Sequence, residues 1–320
     1  METFTKLADI TGVPRFGVGG TDLGIPCRVG DEILYLFGDT FGGPSVGAGD
    51  WRSPVGLFGD ASGRMTRAAG PDPDSARQLI DYRHDNGRFT TIIPTSCINL
   101  SGTLYMHAMV MAGLGRAVGT GIWRSDDAAA SWRQVARFRA HADGGCRQMW
   151  SMRLGRDGYV YSISTGGLSR DKGLRLHRLQ ASRFDAMRRW RPMRWEAWER
   201  GAWGRRATDL GLGSGYGELH LDELDSGWVL TYFDAAGYRI AVRFADRPDG
   251  EWSEPVTLVQ GTSWADEDHA RGRVAQLYGG YLVPGSTLDD ARLVVSQWNT
   301  AVGEPYRSMM FEGSLGACAA

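Results

Sequence analysis

One short pattern recurs through the chain: a small or turn residue and a glycine, followed by a run of apolar and aromatic residues. Four copies read SGTLYMHAM at 101–109, DGYVYSIS at 157–164, SGWVLTYF at 226–233 and GGYLVPGS at 279–286. A fifth, GDEILYLF at 30–37, has Glu32 where the others have glycine. Aligned on Leu34, Leu104, Val160, Val229 and Leu282, the copies are 70, 56, 69 and 53 residues apart. This spacing fits blades of about four strands, and it predicts an all-β, five-bladed β-propeller.

Composition indicates how many domains the chain forms and argues against some classes of partner. Hydrophobic residues make up 42% of the chain and no long helical pattern occurs, so we expect residues 1–320 to form one domain. The formal net charge of −1 argues against nucleic acid as a partner. No apolar run approaches the roughly 18 residues of a membrane span, and METFTKLADI lacks the features of a signal peptide. We therefore expect no membrane partner and synthesis in the cytosol.

The cysteines and histidines do not suggest a metal or a cofactor. The four cysteines lack metal-type spacing and are interpreted as buried thiols at Cys27, Cys97, Cys146 and Cys318. No His, Asp and Glu cluster has ligand spacing either. GVGGTDLG at 17–24 is glycine-rich but precedes a strand rather than a helix, which argues against a nucleotide-binding loop. We predict no required metal and no cofactor.

Outer hairpins of the blades are visible as well. Ser125, Asp127, Ala129, Ser131 and Trp132 fit a degenerate Asp-box, a structural hairpin motif away from any active site. RPDGEWSEP at 247–255 predicts a second outer hairpin. The arginine-rich and tryptophan-rich segment 186–206 is interpreted as an insertion or a long outer hairpin, with a basic surface stacked on indoles favoured over a polymer-binding platform.

The stretch from Gly19 to Gly43 carries the most chemistry. Gly30-Asp31 is a plausible two-residue hairpin turn. Folding the chain about this turn pairs position i with 61 − i and places Asp22 opposite Asp39. Opposed residues on antiparallel strands have Cβ atoms about 4.5–5.5 Å apart, which is close to the roughly 5–5.5 Å carboxyl separation of retaining glycosidases.

Two alternatives remain open for this hairpin. Pro26 cannot donate to a β-ladder, so a bulge there would shift the register by one residue. A hairpin splayed in this way, with carboxyl groups roughly 6.5–9.5 Å apart, would fit an inverting glycosidase. Each aspartate alone would ordinarily be a turn residue that caps local amides.

Several motifs together resemble one family. They are TDLGI at 21–25, LYLFGDTFGG at 34–43 followed by WRSP, PTS at 94–96, GYGEL at 215–219, YGGYLVPGST at 278–287 and SQWN at 296–299. They are similar to the domain-of-unknown-function 4185 family, whose characterised members form glycoside hydrolase family 183, the endo-D-arabinanases. The resemblance spans about residues 12–311. It implies a five-bladed β-propeller that hydrolyses α-D-arabinofuranosidic links in the arabinogalactan and lipoarabinomannan of mycobacterial-type walls.

The resemblance also implies roles for individual residues. The aspartates of TDLG and FGDTF are Asp22 and Asp39, and we take them as the catalytic pair, with Asp39 as nucleophile and Asp22 as general acid/base in a retaining reaction. Small and apolar neighbours of Asp22 predict a raised pKa.

Six further residues are predicted to bind substrate: Trp51, Arg52, Thr95, Glu218, Tyr278 and Trp298. Arg52 is equally compatible with a surface ion pair, and Glu218 with a structural hydrogen bond. Tyr278 and Trp298 are predicted to stack on sugar faces, although core packing is the favoured alternative for Trp298.

Three functions compete. The first is the endo-D-arabinanase. The second is a non-catalytic glycan-binding propeller of an actinobacteriophage tail or lysis apparatus, since such a protein reaches the wall without secretion. The third is a sialidase-type enzyme, suggested by the Asp-box alone and disfavoured. We expect a monomer, unless the chain is part of a virion, that acts on the cell-wall polysaccharide after release or as a phage-borne protein.

Overall fold

The computed structural model describes residues 4–184, 194–298, 303 and 306–316. Cys318 and residues 185–193 of the tryptophan-rich segment lie outside this part of the chain. The described residues form strands joined by tight turns and short 3-10 helices at Ala142–Gly145, Ala181–Arg183, Trp264–Asp266 and His269–Arg271.

Five sheets follow one another along the chain as the blades of a propeller. Blade 1 contains β2 (Leu23–Val29), β3 (Glu32–Phe37), β6 (Val55–Gly59) and β7 (Met65–Ala68), and its β3–β6 loop carries the small sheet of β4 (Thr40–Phe41) and β5 (Trp51–Arg52). Blade 2 contains β8 (Thr91–Leu100), β9 (Thr103–Met111), β10 (Ala117–Ser125) and β11 (Arg133–Arg139). Blade 3 contains β12 (Met149–Leu154), β13 (Tyr159–Thr165), β14 (Arg175–Gln180), β15 (Glu196–Glu199) and β16 (Ala202–Gly204). Blade 4 contains β17 (Tyr216–Leu224), β18 (Gly227–Asp234), β19 (Arg239–Ala245), β20 (Val256–Thr262) and β21 (Arg273–Ala275).

Blade 5 closes the ring with strands from both ends of the described chain. It contains β22 (Leu277–Leu282), β23 (Ala291–Gln297) and β24 (Arg307–Gly313), and its outer edge is β1 (Thr5–Asp9). β1 pairs antiparallel with β24, with Thr5 opposite Glu312. The five-bladed β-propeller predicted from the repeat is therefore confirmed.

The innermost strands β2, β8, β12, β17 and β22 contact one another around the central channel. The five copies of the sequence repeat do not all form the same strand of their blades. In blades 1 to 4 its copies form the second strand, at β3, β9, β13 and β18, whereas in blade 5 the copy forms the innermost strand β22. The predicted number of blades was correct, but the fifth copy is one strand out of step with the others.

Buried apolar residues of adjacent blades pack the core between sheets, and the outer hairpins add local support. In the Asp-box, the Asp127 carboxylate accepts hydrogen bonds from the Ser125 and Ser131 hydroxyls at 2.8 and 2.6 Å. The predicted hairpin after β19 is present, with the Trp252 indole donating to the Pro248 carbonyl at 3.3 Å. The described part of 186–206 forms the outer hairpin β15–β16, in which Trp198 and Trp203 pack against each other.

The β2–β3 hairpin keeps the predicted register only in part. Ile25 faces Leu36 and Arg28 faces Ile33, as expected from the turn at Gly30-Asp31. A bulge then shifts the pairing, so that Leu23 faces Phe37 and the Asp22 carbonyl accepts from the Gly38 amide. The predicted pairing of Asp22 with Asp39 across the ladder is thus wrong by one residue. The bulge lies at Gly24, whose φ is +92°, and Pro26 stays in register opposite Tyr35.

Gly24→Ala is expected to destabilise the protein by about 2–4 kcal/mol, because an alanine in this conformation is strained and overpacks the site. A Cβ at this position would lie 2.9 Å from Val294 Cγ1 and 3.3 Å from Phe37 Cε1. Gly30→Ala is the matched control: its φ is +61° but a Cβ meets nothing within 4 Å. Urea unfolding of both variants measures the difference, and equal losses would contradict the packing argument.

Candidate active site

The candidate site lies where β2 begins and β3 ends, at one end of the channel. The strands are tied beyond the ladder by hydrogen bonds between Gly20 and Phe41 in both directions. The hydroxyls of Thr21 and Thr40 are 2.6 Å apart and both residues are buried. Asp22 and Asp39 therefore project from two rigidly joined backbone segments, although they are not direct partners in the ladder.

Asp22 lies in the less polar surroundings of the two carboxylates. Its Oδ2 accepts a hydrogen bond of 2.8 Å from the Tyr278 hydroxyl, which is itself 3.3 Å from the Tyr306 hydroxyl. Its Oδ1 is closed off from solvent, has no hydrogen-bond partner among the described residues and lies against Gly38. Burial, with repulsion from Asp39 as the second cause, raises the pKa of Asp22 to about 7.

Asp39 is held by hydrogen-bond donors. The Trp51 indole N–H and the Thr91 hydroxyl both donate to Asp39 Oδ1 at 2.9 Å. Burial raises the pKa of Asp39, whereas the hydrogen bonds from Trp51 and Thr91 and the nearby His84 lower it. These donors stabilise the ionised carboxylate, so the two aspartates are placed in different electrostatic environments.

This difference suits acid and nucleophile roles. Two neighbouring carboxyl groups lose their protons in two steps that belong to the pair. Asp22, whose buried Oδ1 has no donor among the described residues, keeps its proton to a higher pH than its neighbour does. The hydrogen-bonded group, Asp39, carries the first negative charge. A protonated Asp22 beside an ionised Asp39 is the arrangement that glycoside hydrolysis requires.

Tyr278→Phe is expected to move the alkaline limb of the pH–rate profile up by about one pH unit, because the lost hydroxyl stabilises the charged form of Asp22. The readout is kcat/KM between pH 5 and 9. Tyr159→Phe, at a half-buried tyrosine in blade 3, is the control and should leave the profile unchanged. A limb that stays in place or moves down would contradict this role of Tyr278.

The predicted binding residues Trp51 and Tyr278 both contact the carboxylate pair, but through polar groups. The Trp51 indole N–H donates to Asp39, and the Tyr278 hydroxyl donates to Asp22. Trp51 also stacks on His84, with ring centroids 4.0 Å apart. Their side chains therefore orient Asp39 and Asp22, whichever contact they make with a sugar.

Arg52 follows the ion-pair alternative. Its Nε lies 2.7 Å from Asp50 Oδ2, and its two terminal nitrogens donate to the carbonyls of Ala76 and Gly17. The guanidinium clamps three loop segments together. Among the described residues, none of these contacts is with Asp22 or Asp39.

Thr95 and Glu218 lie on the innermost strands β8 and β17 and line one small cavity of about 20 Å³ together with Leu23 and Tyr281. The Thr95 hydroxyl is 2.6 Å from His107 Nδ1. Glu218 Oε1 accepts from Arg170 at 3.1 Å, while its buried Oε2 has no partner in the described chain. Glu218 therefore has both the predicted structural bond and an unused acceptor near the pair.

Trp298 lies just beyond β23 and is 44% exposed, so the alternative of core packing is wrong. Its backbone N–H donates to the Gln276 carbonyl at the start of blade 5's inner strand. The exposed indole is available for a ligand, and its predicted role in stacking on sugars stays a prediction.

Three further residues of the site were not predicted: Tyr306, Thr91 and His84. Tyr306 is buried and follows residues outside the described chain, Thr91 starts β8, and His84 lies in an irregular loop. None belongs to a motif. The only signal in the sequence was the pair of polar residues Thr90 and Thr91 where an apolar strand begins, which indicates that this end of the strand faces a polar site.

Within the described residues, no group of three or more His, Cys, Asp or Glu side chains is arranged to hold a metal ion. In that same part of the chain, no helix is both long and apolar enough to cross a bilayer.

The five blades and the two carboxylates at the channel end define a β-propeller protein with a paired-aspartate site. The chain belongs to the family described as domain of unknown function DUF4185, whose model matches residues 10–312. This agrees with the resemblance seen in the motifs around Asp22 and Asp39.

Curated relatives cover nearly the whole chain. An uncharacterised 35.9 kDa protein from Mycolicibacterium smegmatis is 29% identical over 94% of this chain and 95% of its own length. Notoamide biosynthesis cluster protein J from an Aspergillus species is 29% identical over 89% of this chain and 81% of its own.

Solved structures share the fold at low identity. A Bacteroides ovatus protein reported as a candidate hydrolase matches 93% of this chain and 86% of its own, with a TM-score of 0.65 and 13% identity. An exo-β-1,3-galactanase from Phanerochaete chrysosporium matches 97% of this chain and 63% of its own, with a TM-score of 0.57 and 10% identity. A family 43 glycoside hydrolase protein from Bacillus licheniformis matches 92% and 52%, with a TM-score of 0.55 and 14% identity. At these identities the likeness establishes the fold alone.

Proposed function

We propose that the protein is a glycoside hydrolase in which Asp22 and Asp39 carry the reaction. The observation that supports this most directly is the unequal pair: Asp22 with a pKa of about 7 and Asp39 held by two hydrogen-bond donors. Its fold is also the one used by an exo-β-1,3-galactanase and a family 43 glycoside hydrolase protein.

The proposed reaction is a double displacement with retention. Asp39 attacks the anomeric carbon while Asp22 gives its proton to the leaving glycosidic oxygen, and a covalent glycosyl ester forms on Asp39. The ionised Asp22 then takes a proton from water, whose oxygen attacks the anomeric carbon and releases Asp39. Electrostatic repulsion between the two carboxylates is the second cause of the raised pKa of Asp22, so the two groups interact. Because the bulge at Gly24 offsets them by one residue in the ladder, the anomer formed first is the test that separates retention from inversion.

The proposed substrate is the α-D-arabinofuranosidic main chain of mycobacterial-type D-arabinan, cleaved internally. The TDLG and FGDTFGG motifs support this assignment through their resemblance to endo-D-arabinanases. A neutral polymer also suits the charges: Arg52 is paired with Asp50, and Arg170 with Glu218. These two paired arginines are not free to bind a substrate carboxylate, as the arginines of a sialidase must be. A relative from Mycolicibacterium smegmatis is consistent with a mycobacterial setting.

We further propose that the protein acts on the cell-wall polysaccharide either as a released monomer or as part of a phage particle. Its net charge of −1 gives no general attraction to anionic polymers. Binding to the wall would then depend on sugar contacts at the channel end, for which Trp298 offers an exposed indole.

Incubation with purified mycobacterial arabinogalactan tests the proposal, with products followed by chromatography and anomeric NMR. A ladder of arabino-oligosaccharides whose first-formed reducing ends are α is expected. β-anomers formed first would establish inversion. An L-arabinan and a galactan serve as substrate controls and should release nothing.

A glycan-binding propeller without catalysis is the competing function. It predicts saturable retention on arabinogalactan with no oligosaccharides at any enzyme concentration or pH. In that outcome Asp22 and Asp39 would be ligand contacts, and the glycosidase proposal would be abandoned.

A further inference from the structure

His84 stacks on Trp51, whose indole donates to Asp39, and it has an unusual pair of polar neighbours. Its Nε2 is 2.9 Å from the side-chain oxygen of Gln78, and its Nδ1 is 3.2 Å from the backbone carbonyl of Thr90. Both neighbours are oxygen atoms. Neither the motifs nor the proposed reaction gives this histidine a role.

The orientation of the Gln78 amide is fixed by its other contacts. Its nitrogen donates to the carbonyls of Ile80 and Tyr82 at 2.8 and 2.9 Å. Its oxygen accepts from the backbone amide of Ser53 at 3.3 Å. Exchanging oxygen and nitrogen would set the NH2 group against the Ser53 N–H and leave both carbonyls without a donor. The atom facing His84 Nε2 is therefore an acceptor.

A neutral imidazole cannot satisfy both oxygens. It has one N–H and one lone pair. With the proton on Nε2, the lone pair of Nδ1 faces the Thr90 carbonyl. With the proton on Nδ1, the lone pair of Nε2 faces Gln78. Only the doubly protonated ring donates to both acceptors, so the contacts favour the imidazolium.

The surrounding charges and rings act in the same direction. Asp39 and the neighbouring Asp85 are the carboxylates that face His84, and both favour its charged form. The ring stacks on the face of Trp51 at 4.0 Å and lies 4.9 Å from Tyr82, and electron-rich ring faces attract cations. Burial opposes the charge and lowers the pKa of His84. It cannot remove the lone-pair conflict that deprotonation creates at one of the two oxygens.

We propose that His84 is an imidazolium in the resting site and that its charge, placed behind the Trp51 ring, keeps Asp39 ionised. His84 is then a positioning residue for the proposed nucleophile. The protonation of His84 is independent of any reaction, whereas its effect on Asp39 as nucleophile rests on the proposed function.

Long-range ¹H–¹⁵N NMR of the imidazole rings tests the first part without substrate. The His84 signals are assigned by their loss in His84→Gln. We expect both ring nitrogens of His84 to be protonated at pH 6. In Asp39→Asn the midpoint of the His84 titration should fall by about one pH unit, because a nearby anion is removed. A ring with a single proton at pH 6 in the wild type, or a midpoint unmoved in Asp39→Asn, would overturn the proposal.

The pH dependence of kcat/KM tests the second part. The acidic limb reports ionisation of the base or nucleophile in the free enzyme. In His84→Gln this limb should move up by about one pH unit, because Asp39 loses its positive neighbour. His141→Gln, at an exposed histidine in the loop after β11, is the control and should leave the limb unchanged. A merely structural role for His84 would lower kcat at every pH without moving the limb.

These measurements separate the possible failures. Doubly protonated His84 in a protein that degrades no glycan would leave the resting-state assignment intact and reject the proposed function. Active enzyme with a neutral His84 would reject this inference alone.

Discussion

Asp39→Asn is expected to lower kcat on D-arabinan by at least about 10⁴-fold, because an amide cannot form the glycosyl ester. The protein should fold as before. The amide oxygen can still accept from Trp51 and Thr91, and the burial that raises the pKa of Asp39 no longer opposes a charge. Reducing-end release and the thermal midpoint are the two measurements.

Asp31→Asn is the matched control for Asp39→Asn. Asp31 belongs to the same hairpin but is exposed at its turn, at the opposite end from the site. Its substitution should change kcat by less than about twofold. If Asp39→Asn unfolds the protein, the aspartate is a structural turn residue. If the variant retains more than about a tenth of the activity, Asp39 is not the nucleophile.

Asp22→Asn is expected to lower kcat by about 10²–10⁴-fold on arabinan while making the protein more stable at alkaline pH. The loss depends on the leaving group. An aryl arabinofuranoside with a good leaving group needs little protonation, so this variant should form the glycosyl ester from it nearly as fast as wild type. Asp39→Asn should fail on both substrates, and this contrast assigns the two roles.

The stability gain of Asp22→Asn follows from linkage. In the unfolded chain an aspartate ionises near its model value of 3.8, but in the folded protein only near pH 7. The contribution of Asp22 to stability is therefore greatest below pH 4 and is lost as pH rises through 7. At pH 8 the ionised, partly buried carboxylate costs at most about 4 kcal/mol, so the variant should exceed wild type by about 1–4 kcal/mol.

Urea unfolding at pH 4 and pH 8 measures this difference between the two proteins. The gain should shrink to below about 1 kcal/mol at pH 4, where Asp22 is protonated in the folded protein and only partly ionised in the unfolded chain. A variant that is less stable than wild type at pH 8 would show that the Asp22 carboxylate stabilises the fold, which would argue against a general acid whose pKa is raised by burial.

The sequence predicted the architecture because each blade repeats one local device. A turn glycine before an apolar strand occurs in every blade, and local turns need no long-range information. In blade 5 the repeat copy forms the innermost strand instead of the second one. The second strand, β23, lacks the turn signature because Thr287 and Asp290 form a different turn before it. Counting copies gave the right number of blades but not the strand that each copy forms.

The two aspartates of the site were predicted from the sequence, whereas Tyr306, Thr91 and His84 around them were not. Asp22 and Asp39 stand in recognisable motifs, and the turn at Gly30 fixed most of the register between them. The offset at Gly24 is decided by its packing against Val294 and Ser308 of blade 5, which lie some 270 residues or more further along the chain. Tyr306 could not be predicted for the same reason, since only closure of the ring of blades brings it beside Asp22.

Closure of the ring by β1 and β24 has a consequence for how the protein becomes active during synthesis. Asp22 emerges early from the ribosome, whereas its partners Tyr278 and Tyr306 emerge more than 250 residues later. The Thr21 amide also donates to the Tyr306 carbonyl. Until β24 has been made, β1 has no edge to join. The nascent chain would thus carry both aspartates for most of translation, while the site around them is completed only when blade 5 forms.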